Sequence, residues 1–221
     1  LSSSRGRRLA WTVIQPHETV ASRLAQFGPV VHERLKPAFA RAGITYPPKA
    51  LTLVGLKAER MLEVYAGPHP DSLTFITAYP IKRASGSLGP KLREGDYQVP
   101  EGIYGIESLN PNSRFHLALR VNYPNPLDRQ FAKADGRSAL GGDIMIHGKA
   151  ASVGCLAMGD EAAEDLFVLA AETGLPNIRV ILSPVDFRLR PAPNQPAAPR
   201  WLPQVYGQIA ANLKPLPVRS Q

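Results

Sequence analysis

The stretch DIMIHGKAASVGCLAMGD, residues 143–160, sets a short apolar run, Ile144-Met145-Ile146, directly before His147 and ends on Asp160. Such a run predicts a buried strand ending at the histidine. Asp160 suits the N-cap of a helix whose apolar stripe is Ala163, Leu166, Phe167 and Ala170, with Gly174 as its stop. Between strand and helix stand one histidine and the only cysteine of the chain, eight residues apart and each beside a glycine. Thiolate chemistry needs a sulfur that can lose its proton near neutral pH and a base close by. A strand end followed by a tight glycine-containing loop is expected to bring His147 to Cys155. Gly154 frees the backbone before the thiol, so the amides of Gly154 and Cys155 are expected to face a developing oxyanion, with the Ser152 hydroxyl orienting base or substrate. Spacing alone does not favour that reading: a cysteine beside Leu156 and Met158 is more often a buried structural residue, and a histidine at a strand end a satisfied polar group.

Outward from this segment, periodicity predicts a mixed chain. Val20, Leu24 and Phe27, then Val31, Leu35 and Phe39, read as two short helices joined at Gly28-Pro29 and closed by Gly43. Leu51–Val54 and Met61–Tyr65 read as a hairpin, followed by a third strand at Leu73–Ile76. The clearest strand is 115–121, where Phe115, Leu117, Leu119 and Val121 alternate with His116, Ala118 and Arg120. Residues 84–102 and 122–143 read as long irregular segments, and loops of that length in a compact domain commonly carry function. Ile178–Leu182 is a last strand. After the linker RPAPNQPAAP at 190–199, Trp201, Val205, Ile209 and Leu213 predict a C-terminal helix.

The 221 residues fit one domain with decorations, and 44% hydrophobic residues exclude a disordered chain. The expected division is a flexible basic lead-in at 1–16, a helical appendage at 17–48, a catalytic domain at 49–188 and a proline-rich linker with its helix at 189–221. One cysteine excludes a disulfide framework and a multi-cysteine metal cage. The excess of 26 basic over 18 acidic residues, net +8, favours anionic polymers or acidic substrates. No stretch reaches the ~20 apolar residues of a membrane span. Because the sequence starts at Leu1, a removed signal peptide or anchor is expected.

The wording of the central segment resembles the YkuD-type L,D-transpeptidase catalytic domain, most closely its YafK-like branch. His147-Gly148 and Ser152-Val153-Gly154-Cys155 carry that likeness, together with GPKLREGDYQVPEGIYGI at 89–106, LNPNSRFHLALRVNYPNPLDR at 109–129 and GGDIMIHG at 141–148. The resemblance implies an α+β fold: a mostly β core, sandwich or partial barrel, with N-terminal and C-terminal helices. It implies a cysteine L,D-transpeptidase outside the cytoplasm, in the periplasm, acting on peptidoglycan stem peptides that contain diaminopimelate. On this reading Cys155 attacks, His147 is the base, the Gly148 carbonyl holds the imidazole tautomer, and Ser152 and Gly154 complete the pocket. The acyl-enzyme then passes to an amine, making a 3,3 or 1,3 cross-link, or to water, making the protein an amidase or hydrolase; a carbapenem is expected to acylate the same thiol. Val153 stands where other branches often carry histidine or lysine, on the acceptor side where these outcomes diverge.

For the substrate carboxylates, Lys91 and Arg93, with Lys82 and Arg83 before them, form a basic cluster. A solvated loop is the alternative. Tyr104 and Tyr123 are expected to border the cleft or to be half-buried packing residues, and Asp128 and Asp143 to buttress the histidine loop or to cap turns. His17, His32, His69 and His116 lack metal-ligand spacing, so neither metal nor cofactor is expected. Scattered basic residues without a recognition motif place nucleic-acid binding last, behind a non-catalytic cell-wall binding module.

Overall fold

The computed structural model describes residues 17–196 and 198–219. The expected lead-in at 1–16 lies outside the described residues. Among those described, four α-helices and nine strands form an α+β fold around one mixed sheet.

In chain order the elements are α1 (Val20–Ala42), β1 (Ala50–Leu56), β2 (Met61–His69), β3 (Ser72–Pro80), β4 (Arg83–Ala84), β5 (Gly102–Ser113), β6 (His116–Val121), α2 (Pro126–Ala134), β7 (Met145–His147), β8 (Leu156–Ala157), α3 (Asp160–Thr173), β9 (Ile178–Ser183) and α4 (Leu202–Leu213). The strands run in the order β3-β2-β1-β9-β5-β6-β7-β8-β4. β1 pairs parallel with β9 and β7 parallel with β8; the other pairs are antiparallel.

All of β1 is buried, which requires cover on both faces of the sheet. Leu51 and Leu53 point with Leu62, Val64, Val180 and Leu182 into a core closed by α1 and α3. Val54 and Leu56 point the other way, with Tyr65 and Ile181, into a second core closed by Val205, Ile209 and Leu213 of α4. The period of two along each strand thus feeds two cores, and the helices near both ends of the chain are parts of them.

The first helix is continuous, where two helices joined at Gly28 were expected. Thr19 and Ser22 form its capping box and Gly43, with φ of 67°, its C-terminal stop. Pro29 and Pro37 lie inside it, both on the exposed side, while Gly28, Val31, Leu35, Ala38 and Phe39 make one buried stripe. Each proline deletes one ladder bond. The stripe packs on the core past both of them, and the freed carbonyls face water on the outer side of the helix.

Two segments read as irregular carry structure. Within 122–143, Asn125 and Asp128 form a capping box around Pro126 and start α2. The loop from Ser85 to Glu101 stays irregular yet is knotted: Asp96 accepts the amides of Leu92, Arg93 and Gln98 and the ammonium of Lys91. The Lys57 side chain, little exposed, donates to Gly89 O, Val99 O and Glu101 Oε1, fastening the loop to the end of β1. At α3 the N-cap is Gly159 rather than Asp160, because the Asp160 carboxylate turns back to accept the Lys149 amide at 2.7 Å.

Candidate active site

The segment that opened the sequence reading becomes β7, a return loop and β8. In register, Ile146 faces Leu156 and His147 faces Ala157. Cys155 lies just ahead of β8, so it neighbours Met145 and stands two residues from the partner of His147. Paired residues of adjacent strands project to the same face, as do residues two apart, which puts the imidazole and the thiol on one side of the sheet. The interval of eight residues is therefore one short strand plus a loop that travels back to begin a parallel neighbour. Lys149 and Gly154, at φ of 58° and 84°, make the loop's turns.

His147 is 2% exposed and lies against the ring of Phe115 at 4.7 Å between centroids. Its Nδ1 is 2.6 Å from the Gly148 carbonyl oxygen. A carbonyl only accepts, so in the neutral ring Nδ1 carries the proton and Nε2 is left as the basic atom. Gly148 has no room for a side chain: an added Cβ would sit 2.6 Å from Asp160 Oδ1 and 2.7 Å from Phe115 O.

The Cys155 sulfur receives the Met145 amide at 3.4 Å and lies 3.5 Å from Asp143 O, to which the thiol donates. Burial pushes the Cys155 thiol above its ordinary value, and Asp143 adds to that; the Met145 N–H and Lys91 pull the other way. Burial also lowers the His147 pKa, opposed by the bond to Gly148. Both shifts favour the neutral forms, thiol and imidazole, over the charged pair.

The two amides expected to face an oxyanion are occupied within the protein. Gly154 N–H donates to Ser85 Oγ at 2.5 Å, and Cys155 N–H donates to Ser152 Oγ at 3.1 Å. Ser152 Oγ donates in turn to Cys155 O at 2.5 Å, so this serine braces the backbone of Cys155 rather than the imidazole.

A cavity of about 370 Å³ is lined by Cys155, His147, Ser152, Arg83, Phe115, Ala150, Ala151 and Val153. Of the expected substrate contacts, Lys91, Arg93, Tyr104 and Tyr123 do not line it, and of the basic cluster only Arg83 does. Lys91 is only 8% exposed and paired with Asp96 at 2.6 Å, a loop anchor rather than an available cation. Arg93 is exposed but lines a separate hollow with Leu92, Asp96 and Arg137. Tyr104 and Tyr123 are core residues whose rings meet edge to face at 6.1 Å. Burial raises both phenols, and their hydroxyls reach Asp128 and the Leu140 carbonyl respectively. Asp128 caps α2, while Asp143 offers its carbonyl to the thiol and its carboxylate to Arg120 at 3.0 Å.

Sequence reasoning missed Phe115 and Ser85 as members of the site and placed Arg83 only at the edge of a basic cluster. Phe115 read as a core residue of its strand, yet it is 40% exposed because the positive φ of His116, 75°, turns the chain just after it. Among the described residues, no group of three His, Cys, Asp or Glu side chains is placed to hold a metal, and no helix is long and apolar enough to cross a membrane.

This arrangement has counterparts. The chain is similar to YafK of Escherichia coli (strain K12), 36% identical over 141 residues that cover 62% of this chain and 54% of that protein. The chain thus spans about half the length of the curated relatives it matches. Among solved structures it is similar in fold to a mutant of the helical cell shape determining protein Pgp2 from Campylobacter jejuni. There the TM-score is 0.50 at 18% identity, over 83% of this chain and 61% of that one. Bd1075 of Bdellovibrio bacteriovorus overlaps at a TM-score of 0.45 and 23% identity, over 64% of this chain and 50% of that one. Residues 52–181, from the third residue of β1 into β9, match the L,D-transpeptidase catalytic domain, YkuD. That match takes in more than half of the chain and every strand that carries a wall of the cavity, so the chain belongs to the YkuD family of L,D-transpeptidase catalytic domains.

Proposed function

We propose that the protein is a cysteine L,D-transpeptidase that forms an acyl-enzyme on Cys155 from a diaminopimelate-containing stem peptide of peptidoglycan, in the periplasm or otherwise outside the cytoplasm. The observation that carries this reading is the pairing of Cys155 and His147 on one sheet face, in one cavity, with Nδ1 of the histidine committed to Gly148 O. His147 Nε2 takes the thiol proton as sulfur adds to the peptide carbonyl at the L-centre of diaminopimelate. The resulting oxyanion draws the Gly154 and Cys155 amides from the Ser85 and Ser152 hydroxyls that hold them at rest. Collapse expels the amine of the departing residue, which leaves with the proton held on Nε2, and the thioester remains. An amine of a second stem peptide then attacks, giving up a proton to His147, and the thiol is released.

The net charge of +8 suits an anionic wall polymer without selecting a reaction. Incubation with muropeptides and mass spectrometry of the products tests the reading: a thioester on Cys155 and new 3,3 or 1,3 dimers are expected, and Cys155→Ala is expected to abolish both. Shortened peptides without dimers would make the same thiol hydrolytic. An unmodified protein with unchanged muropeptides, also after exposure to a carbapenem, would end the proposal.

A further inference from the structure

The cavity that holds the thiol has one cation on its wall that the reaction above does not use. Arg83 stands on β4, which pairs with β8 so that Arg83 faces Ala157. Ala157 faces His147 on the other side. Residues paired across strands share a face, so His147, Ala157 and Arg83 form a row across β7, β8 and β4, with Cys155 two residues along from Ala157. Two strand spacings set the outer backbones of that row roughly 10 Å apart. The side chain between them is a methyl group, which leaves the floor low between guanidinium and imidazole.

Of the other cations nearby, Lys91 is committed to Asp96 and Lys149 to the Arg114 carbonyl, and Lys82, one residue from Arg83, does not line the cavity. The exposed Arg83 side chain makes no hydrogen bond or ion pair with the described residues. An arginine held at its backbone beside a nucleophile, with no acid of its own, fits a planar anion that arrives with the substrate. Ala150, Ala151 and Phe115 give the remaining wall an apolar lining suited to a small aliphatic group.

We propose that Arg83 binds a free carboxylate of the donor peptide, adjacent to the carbonyl that Cys155 attacks, and thereby selects donors that carry an acid there. The assignment rests on the peptide-transfer reading above. Two carboxylates of a stem peptide have this chemistry: that of the C-terminal residue, and that on the side chain of the diaminopimelate.

Two measurements test it. The first needs no peptide: Cys155 is alkylated with iodoacetate and with iodoacetamide, each forming the S–C bond with loss of iodide and of the thiol proton. The ratio of the two rates reads attraction of a carboxylate to the thiol. We expect Arg83→Gln to lower the ratio by about tenfold and Arg83→Lys to retain most of it, with melting curves that overlay the parent's. A ratio that does not change overturns the proposal. The second compares a stem tetrapeptide with its C-terminal amide and its side-chain amide. The parent is expected to lose about 10- to 100-fold in kcat/KM on one of the amides, which identifies the carboxylate. Arg83→Gln is expected to lose as much on the free acid, mainly in KM, and to stop discriminating. An equal loss on all three peptides overturns the assignment. If no peptide is turned over by the parent, the transfer reading fails, and the alkylation ratio still decides whether Arg83 is an anion site.

Discussion

Gly148→Ala is the substitution whose consequence the structure specifies most tightly. An alanine Cβ at this position would lie 2.6 Å from Asp160 Oδ1, 2.7 Å from Phe115 O and 2.9 Å from His116 Cβ. Two of those atoms have little freedom. Phe115 O belongs to the backbone of a turn whose next residue already sits at φ of 75°, and the Asp160 carboxylate is held by the Lys149 amide. Reaching ordinary contact at 3.4 Å asks the Phe115 carbonyl to retreat by 3.4 − 2.7 = 0.7 Å. Overpacking of this kind costs about 1–3 kcal/mol, and backbone opposition puts this case at about 2–3 kcal/mol. For a chain of this size that is a fall in Tm of about 4–12 °C. Retreat of the turn also moves Phe115 off the His147 ring and disturbs the Gly148 carbonyl that holds Nδ1, and a misplacement of that order costs roughly 100-fold in rate. Differential scanning calorimetry and thioester formation on Cys155, followed by intact mass, are the two assays. Gly142→Ala is the control, since its Cβ would meet nothing closer than Tyr123 O at 3.9 Å. If Gly148→Ala melts and acylates as Gly142→Ala does, the close-packed turn is not what positions the histidine.

Acylation by a peptide should fall on acidification with a midpoint below the ordinary histidine value of about 6.5, because burial lowers the His147 pKa and the base must be neutral. Asp128, pushed by burial up to about 6, titrates nearby, so the profile is to be repeated with Asp128→Asn; a midpoint that moves with that change would refute the assignment to His147. The same depression fixes a sign for stability: the unfolded chain takes up this proton first as pH falls. The stability that His147 contributes is thus whole above about pH 6.5 and is lost as pH drops through its folded pKa, which urea titrations of His147→Gln against the parent can read as a smaller slope over that window. For the loop anchor, Lys57→Met strands the Glu101 carboxylate in the interior and is expected to cost about 3–5 kcal/mol in urea unfolding. Lys57→Met combined with Glu101→Leu should cost clearly less than the sum of the two single changes, and simple additivity would contradict a coupled buried pair.

Local signals carried most of the secondary structure. The alternation of Leu117, Leu119 and Val121 and the stripe of α3 survive intact, because each pattern is the period of its own element. The misses have particular causes. Gly28-Pro29 reads as a break only when the buried stripe that continues past it is left out of account. Asn125-Pro126 reads as a turn, although with Asp128 it is equally a capping box. Lys91 looks available in the sequence and is buried against an aspartate five residues on.

By itself the sequence determined the family resemblance, and with it the expectation of an α+β fold and of His147 and Cys155 as the candidate pair, because the motif wording that carries the resemblance is local. The tertiary structure alone decided what surrounds that pair. Arg83, Ser85 and Phe115 come from segments 40 to 72 residues distant from Cys155 and reach it through strand order and register. Pairing β8 with β4 as well as with β7 is a matter of long-range hydrogen bonding, which no local period encodes.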